Sequence, residues 1–343
     1  MLALRVPSGN AEAVRLLMTE HGILDKHHRI LNAGGFTEIP ALAMPLPGLL
    51  GEMKSLGAEI TEGEYPGRQT FRVPFNEVLA EIDIPENLKK KLPRKWEQLG
   101  HVLVLKIPKE LEPRKEEVAR AYAKVLEADA VLMDTGGISG QFREPVMELL
   151  LGENTDTVHV ENQVRFSLDA ARLMFSSGNV DERIRMSKLP KPGEVVVDMF
   201  AGIGYFSVPM AVHSKPARII SHEINPLAFE YLKRNIALNN VRDRIKPVLG
   251  NCLDAEEGIA DRVVMGYVGT THEYLPKAMR ILRGKGVIHY HETCPNRLLP
   301  NRPQERVMEA AGEAGRDAEI LKMTRVKSYA PGVEHVVVDA QIT

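Results

Sequence analysis

The run Asp198-Met199-Phe200-Ala201-Gly202-Ile203-Gly204-Tyr205-Phe206-Ser207 holds the residues best suited to grip a ligand. It follows the apolar stretch Val195-Val196-Val197 and opens onto an apolar helical pattern. A strand, a glycine turn and a helix in that order place a loop beyond the carboxyl end of a parallel sheet, where ligands bind in open α/β folds. Gly202 and Gly204 permit a tight turn and a close backbone approach that a Cβ would obstruct. Glu223 stands 21 residues after Gly202, at the end of the next predicted strand, Arg218 to His222. A carboxylate there can accept hydrogen bonds from both hydroxyls of a ribose.

Two ligand classes share this geometry. Nicotinamide enzymes use a third glycine for close helix packing and room for a pyrophosphate. Here that position is Ser207. S-adenosylmethionine has no pyrophosphate, so its sites need only the first glycines. Asp198, just before the loop, also suits a sulfonium better than a dianion. Asn251-Cys252 ends the third strand pattern, where such enzymes contact adenine. Strand, D-x-F-A-G-x-G, an acidic residue at the next strand end and Asn at the third form a specific combination, whereas a lone G-x-G is weak.

These residues need a sheet to hold them. From about residue 170, apolar strands alternate with amphipathic helices, the pattern of a parallel sheet covered on both faces. The predicted strands are Val195 to Val197, Arg218 to His222, Ile245 to Leu249, Arg262 to Met265 and Gly286 to His289. A helix after Glu223 carries Ala228, Tyr231, Leu232 and Ile236 on one face. Met323 to Tyr329 and Glu334 to Ala340, divided by Pro331-Gly332, predict a closing antiparallel hairpin.

Upstream, two smaller α/β units are expected. Residues 1–70 offer a strand at Leu4 to Pro7 and a helix over 10–21 with Val14, Leu17 and Met18 inward and Asn10 as N-cap. Ile39 to Leu42 reads as another strand, and Gly and Pro mark Pro45 to Gly67 as connections or a linker. Residues 71–165 offer a strand at His101 to Leu105, a helix from Glu116 to Ala128 and a strand at Val131 to Met133. Thr157 to Glu161 and Val164 to Leu168, joined by Asn162-Gln163, predict a hairpin. The domains expected are thus 1–70, 71–165 and 166–343.

Composition agrees with a multi-domain globular chain. There are 343 residues, 44% apolar and 26% charged, so wholesale disorder is excluded. No apolar run reaches the roughly 18 residues of a membrane helix. No secretory pattern follows Met1, and a cytoplasmic protein is expected. Two cysteines, Cys252 and Cys294, exclude a disulfide scaffold and a cysteine-based zinc site. His289 and His291 lie two apart on a strand and face one side. No Cys or carboxylate set completes a metal-ligand spacing around them, so no metal is expected. The net charge of −2 gives no whole-molecule argument for a nucleic-acid partner.

Beyond the glycine loop, a wider set of residues carries a family likeness. These are Val160-Glu161-Asn162, Met174-Phe175-Ser176-Ser177-Gly178-Asn179, Glu182-Arg183, Asp198 to Gly204, Met265-Gly266-Tyr267-Val268, His289-Tyr290-His291 and Tyr329-Ala330-Pro331-Gly332. The chain resembles the archaeal tRNA wybutosine-synthesizing protein 2 family, aminocarboxypropyltransferases related to the tRNA guanosine-37 methyltransferases. The likeness covers roughly residues 73–343. Residues 1–70 look more loosely like the extra domain with which those methyltransferases contact the tRNA body. Where the methyltransferases look like Asn-Leu-Pro, this chain has Gly266-Tyr267-Val268.

The resemblance implies a class I S-adenosylmethionine-dependent fold and a defined reaction. A ring carbon of 4-demethylwyosine at position 37 of tRNA-Phe attacks the methylene of the 3-amino-3-carboxypropyl arm, and methylthioadenosine leaves. It further implies that Ser176 and Arg183 bind the methionine end, Glu223 the ribose, and Asn251 and Cys252 the adenine. Read without the family, Ser176 is more simply a cap or turn residue and Arg183 a solvated helix residue. His291 or His272 is the expected acceptor of the ring proton, with Tyr267 at the reactive end. Guanosine-37 methyl transfer is the alternative, and a nicotinamide oxidoreductase or a non-catalytic tRNA binder lies further off. A tRNA partner would need local basic patches. Lys89-Lys90-Lys91 with Arg94-Lys95-Trp96 is one candidate, whose plainer reading is a solvated helix end. Lys26-His27-His28-Arg29 and Arg143 are others.

Overall fold

The structure is a computed structural model and describes residues 1–67, 73–139 and 144–343. The chain divides into two compact units, Met1–Val73 and Pro74–Thr343.

In the first unit, strand Leu2–Pro7 pairs antiparallel with Phe36–Pro40 on one side and Glu59–Glu62 on the other. Leu31–Ala33 completes the sheet. Helix Ala11–Glu20 buries Val14 and Met18 as its spacing predicts. Asn10 precedes it but does not cap it with its side chain, which donates instead to the Leu56 carbonyl at 2.9 Å. The stretch expected to be a linker is folded: Pro47–Ser55 is a helix and Glu59–Glu62 an edge strand. Pro47 sits in the first turn, where its fixed φ and missing N–H favour helix entry.

In the second unit, helices Pro74–Glu81 and Glu86–Lys89 precede a sheet of strands Trp96–Leu99, Val102–Leu105, Ala130–Ser139 and Glu144–Leu151. Helix Lys115–Leu126 carries the chain between two parallel strands and buries Val118, Tyr122 and Val125. Next come Asp156–Glu161 and Val164–Asp169, the predicted hairpin. Asn162 and Gln163 both take positive φ, 47° and 65°, the turn geometry that matches strand twist. A single apolar core joins Val102 and Leu132 to Phe166, Val196 and Leu232. The hairpin strand Val164–Asp169 therefore straddles position 165 instead of ending there.

The last sheet has seven strands: β1 Val195–Asp198, β2 Arg218–Glu223, β3 Ile245–Leu249, β4 Ala260–Met265, β5 Leu282–Pro295, β6 Ala318–Ala330 and β7 Val333–Ile342. Their order is β3-β2-β1-β4-β5-β7-β6. The first five run parallel, while β7 inserts antiparallel between β5 and β6. Helix Pro226–Leu238 covers one face with Ala228, Tyr231, Leu232 and Ile236, the four apolar positions expected. The chain switches direction beside β1, so the carboxyl ends of β1, β2, β3 and β4 border one crevice.

Candidate functional site

Gly202, Glu223, Asn251, Cys252 and Gly266 line a cleft at those strand ends, with Ser176 and Arg183 on its flank. Glu223 ends β2 and reaches back to the glycine loop. Its Oε2 accepts from the Gly202 N–H at 2.6 Å and its Oε1 from the Asn225 N–H at 2.7 Å. A carboxylate offers roughly four acceptor sites, so capacity remains for ligand hydroxyls. Burial raises its pKa against these bonds.

Asp198 is 0% exposed and does not line the cleft. It accepts from Ser207 Oγ at 2.6 Å and from the Phe200 N–H at 3.3 Å. Ser221 Oγ donates in turn to Ser207 Oγ at 2.8 Å. Ser207, which replaces the third glycine, therefore ties the loop down from beneath. Burial pushes the Asp198 carboxyl up to about 6. Gly204 also lies off the cleft wall. At its φ of +98°, a Cβ would sit 2.6 Å from Val208 Cγ2 and 3.0 Å from Leu232 Cδ1. Helix packing, not ligand approach, requires glycine there.

Asn251 accepts from the Leu253 N–H at 3.0 Å and so shapes the turn after β3. Cys252 is buried, and burial pushes its thiol up to about 12, so it remains protonated. On the flank, Arg183 is 2% exposed and donates Nε and Nη2 to Glu161 at 2.6 and 2.5 Å. Its Nη1 donates to the Ser176 carbonyl at 2.9 Å. Arg183 is thus engaged in orienting Ser176 and is not a solvated helix residue. Lys327 on β6 lines the same wall and donates Nζ to Ser176 Oγ at 2.5 Å. Sequence reasoning missed Lys327, although it lies two residues before the Tyr329-Ala330-Pro331-Gly332 motif.

Just past the end of β4, Tyr267 lines the cleft and stacks on Phe200 at 5.3 Å between ring centres. Tyr274 meets Phe200 edge-on at 5.1 Å. Neither His272 nor His291 is on the wall. His291 is 1% exposed and stands behind Phe206, whose ring lies 5.2 Å away. Two histidines stand on the wall among the described residues, His222 of β2 and His335 of β7, and no spacing argument singled out either as a proton acceptor. His289 and His291 do share a face, but with different partners. Arg262 can only donate, so His289 accepts at Nε2 (2.6 Å) and donates Nδ1–H to Asp339 at 2.6 Å. Among the described residues no cluster of His, Cys, Asp or Glu has the makings of a metal site.

The basic candidates are partly neutralised. Lys89 pairs with Glu86 at 2.9 Å, Lys91 with Glu110 at 3.2 Å, and Arg94 lies over the Phe75 ring. His28 pairs with Asp25 at 2.8 Å. Arg143 lies outside the described residues. No helix among the described residues is long and apolar enough to cross a membrane.

The strand order, the glycine loop on β1 and the acidic end of β2 define a class I S-adenosylmethionine-dependent transferase. Family models match in three places: the TRM5/TYW2 methyltransferase domain over 157–321, the TYW2 N-terminal domain over 75–155 and the tRNA methyltransferase 5 N-terminal domain over 3–43. The chain belongs to the tRNA wybutosine-synthesizing protein 2 family. It is 46% identical to the tRNA(Phe) (4-demethylwyosine(37)-C(7)) aminocarboxypropyltransferase of Pyrococcus horikoshii, across 80% of this chain and 98% of that protein. The crystal structure of P. horikoshii TYW2 in complex with MeSAdo superposes with a TM-score of 0.71 at 45% identity, covering 78% of this chain and 97% of that one. The tRNA (guanine(37)-N(1))-methyltransferase Trm5b of Pyrococcus abyssi is 34% identical across 100% of this chain and 99% of its own.

Proposed function

We propose that this protein transfers the 3-amino-3-carboxypropyl group of S-adenosylmethionine to 4-demethylwyosine at position 37 of tRNA-Phe, in the cytoplasm. The observation that carries this reading lies at the end of β4. Gly266-Tyr267-Val268 occupies the place of the methyltransferases' Asn-Leu-Pro, and a Cβ on Gly266 would lie 2.5 Å from the Phe206 ring. A side-chain amide has no room there, so the device that holds guanine in the methyltransferases has no counterpart. The strong likeness to the Pyrococcus aminocarboxypropyltransferase supports the same reading.

The cofactor supplies a sulfonium whose three carbons are electrophilic, one of them the methylene of the arm. The protein's part is selection and placement, since near-attack geometry is worth several kcal/mol. We assign Glu223 to the ribose and Asn251 with Cys252 to the adenine edge. Gly202 presents backbone beside them, while Asp198 and Gly204 hold the loop from below. Ser176, fixed by Arg183, faces the methionine end. Tyr267 borders the reacting centre. Residues 1–70 and 71–165 grip the tRNA, and 166–343 carry out the chemistry. Extruding the base costs a few kcal/mol, less from a loop than from a duplex.

Guanosine-37 methylation is the second reading, favoured by the full-length match to Trm5b and by the N-terminal match over 3–43. Doubly labelled cofactor separates the two. Carboxyl label in tRNA and methyl label in methylthioadenosine is the expected result. Methyl label in tRNA would sink it.

A further inference from the structure

Attack by a ring carbon leaves a proton to be removed. The carbon bonds to the methylene as the C–S bond breaks, sulfur keeps that electron pair, and the ring C–H then gives up its proton to restore aromaticity. The arm transfer needs a path for that proton, and neither His272 nor His291 reaches the cleft.

We propose, on the reading above, that the proton leaves the cleft through His335 and passes to His291. His335 lines the cleft while being only 3% exposed. Its Nε2 lies 3.1 Å from His291 Nδ1, a hydrogen bond between two imidazoles, each able to donate or accept. The pairing follows from register. His291 lies opposite Val337 in the β5–β7 ladder, and His335 is two residues along on the same face. On the far side, His291 Nε2 has no hydrogen-bond partner and faces Glu182 Oε1 at 3.9 Å.

The arrangement gives the proton a path from the cleft wall to a second, buried imidazole. A proton entering His335 shifts across the shared bond to His291, whose imidazolium then lies beside the Glu182 carboxylate. The surroundings keep that charge from resting there, so the proton returns through His335 to solvent once the product has left the cleft. His291 is held well below the usual histidine value by burial first, then by His335, His289 and Arg185, with Asp339 acting the other way. Glu182 and Arg185 come from helix Val180–Met186, His289 from β5 itself, and Asp339 from β7. Phe206 screens His291 from the cleft, and of the wall histidines His222 and His335 it is His335 that is bonded to His291, so His335 is the point of entry. His289 cannot serve, because both its nitrogens are fixed by Arg262 and Asp339.

The test compares the parent enzyme with His335→Gln and His291→Gln. Single-turnover transfer is expected to fall about a hundredfold in the first and about tenfold in the second, with cofactor affinity by calorimetry retained. On tRNA deuterated at the reacting ring carbon, the kinetic isotope effect should be larger in both variants than in the parent. Imidazole nitrogen NMR of the cofactor-free protein should show the His291 Nδ1 signal moving in His335→Gln. Parent-like rates, an unchanged isotope effect or an unmoved signal would each overturn the relay. Should a variant fail to fold, the parent's rate against pH decides: a fall with unit slope on the acid side supports the relay, and a flat profile refutes it. Release of S-adenosylhomocysteine instead of methylthioadenosine by the parent would mark failure of the underlying reading, separately from parent-like variants.

Discussion

Arg183 and Glu161 meet in a two-pronged ion pair at 2.6 and 2.5 Å, between a helix and a hairpin 22 residues earlier in the chain. The arginine also lies over the Phe175 ring, 4.7 Å from its centre, and holds the Ser176 carbonyl. One side chain thus fixes the flank of the cleft by charge, by ring contact and by a backbone bond. Glu161→Ala would strand the buried guanidinium. Removing one partner of such a pair costs about 3–5 kcal/mol. Urea unfolding should show a loss of that order, and a loss under about 1 kcal/mol would place the pair with weak surface bridges.

Glu223 joins two backbone amides and the cleft. Glu223→Ala removes two charge-assisted bonds, each worth about 1.5–3 kcal/mol, and with them the carboxylate we propose for the ribose. Cofactor affinity by calorimetry should drop at least about tenfold, equivalent to about 1.4 kcal/mol. An unchanged dissociation constant would remove the ribose assignment.

Affinity for the cofactor should depend on pH in a direction set by two carboxyls. Burial raises both Asp198, to about 6, and Glu223. A cationic sulfonium nearby favours their ionised forms, so binding expels protons. S-adenosylmethionine should therefore bind more tightly at pH 7 than at pH 5. Uncharged methylthioadenosine should show a flatter dependence, and equal slopes for the two would argue against this coupling.

The same shift bears on stability. A raised folded-state pKa means that the contribution of Asp198 is full below about 4, its unfolded value, and is lost as pH rises through about 6. Asp198→Asn carries no such dependence. Between pH 5 and pH 7 the stability difference should move in the variant's favour by about 1 kcal/mol, read from denaturant midpoints. A constant difference would mean that Asp198 titrates normally.

Gly266→Asn restores the methyltransferases' residue without restoring its space. The Phe206 ring stands 2.5 Å from the new Cβ, and overpacking of this kind costs about 1–3 kcal/mol. Arm transfer should fall sharply with no methyl transfer gained. Methylated tRNA from this variant would show that the residue alone chooses the group transferred.

Much of the frame was legible in the chain. Val195 to Asp198, the apolar face of Pro226–Leu238 and the turn at Asn162-Gln163 follow from local periodicity and turn chemistry. The misreadings were local as well. Pro47 begins a helix where the Gly and Pro of Pro45 to Gly67 predict connections or a linker, and Asn10 bonds to Leu56 instead of capping. Both depend on a neighbour distant in sequence or on a position within the turn that composition does not reveal.

The sequence by itself determined the glycine loop and the acidic residue at the next strand end, because each rests on short spacings within one strand–loop–helix unit, and it determined the family through short motifs between Val160 and Gly332. Tertiary structure decided which side chains reach the cleft. Lys327 meets Ser176 across 151 residues, and His335 meets His291 across 44. Those meetings depend on β7 running antiparallel between β5 and β6, which sets the register of side chains that no local pattern relates. The same packing withdrew Asp198, Gly204 and His291 from the wall, since a residue type fitted to chemistry is equally fitted to hold the loop or strand beside it.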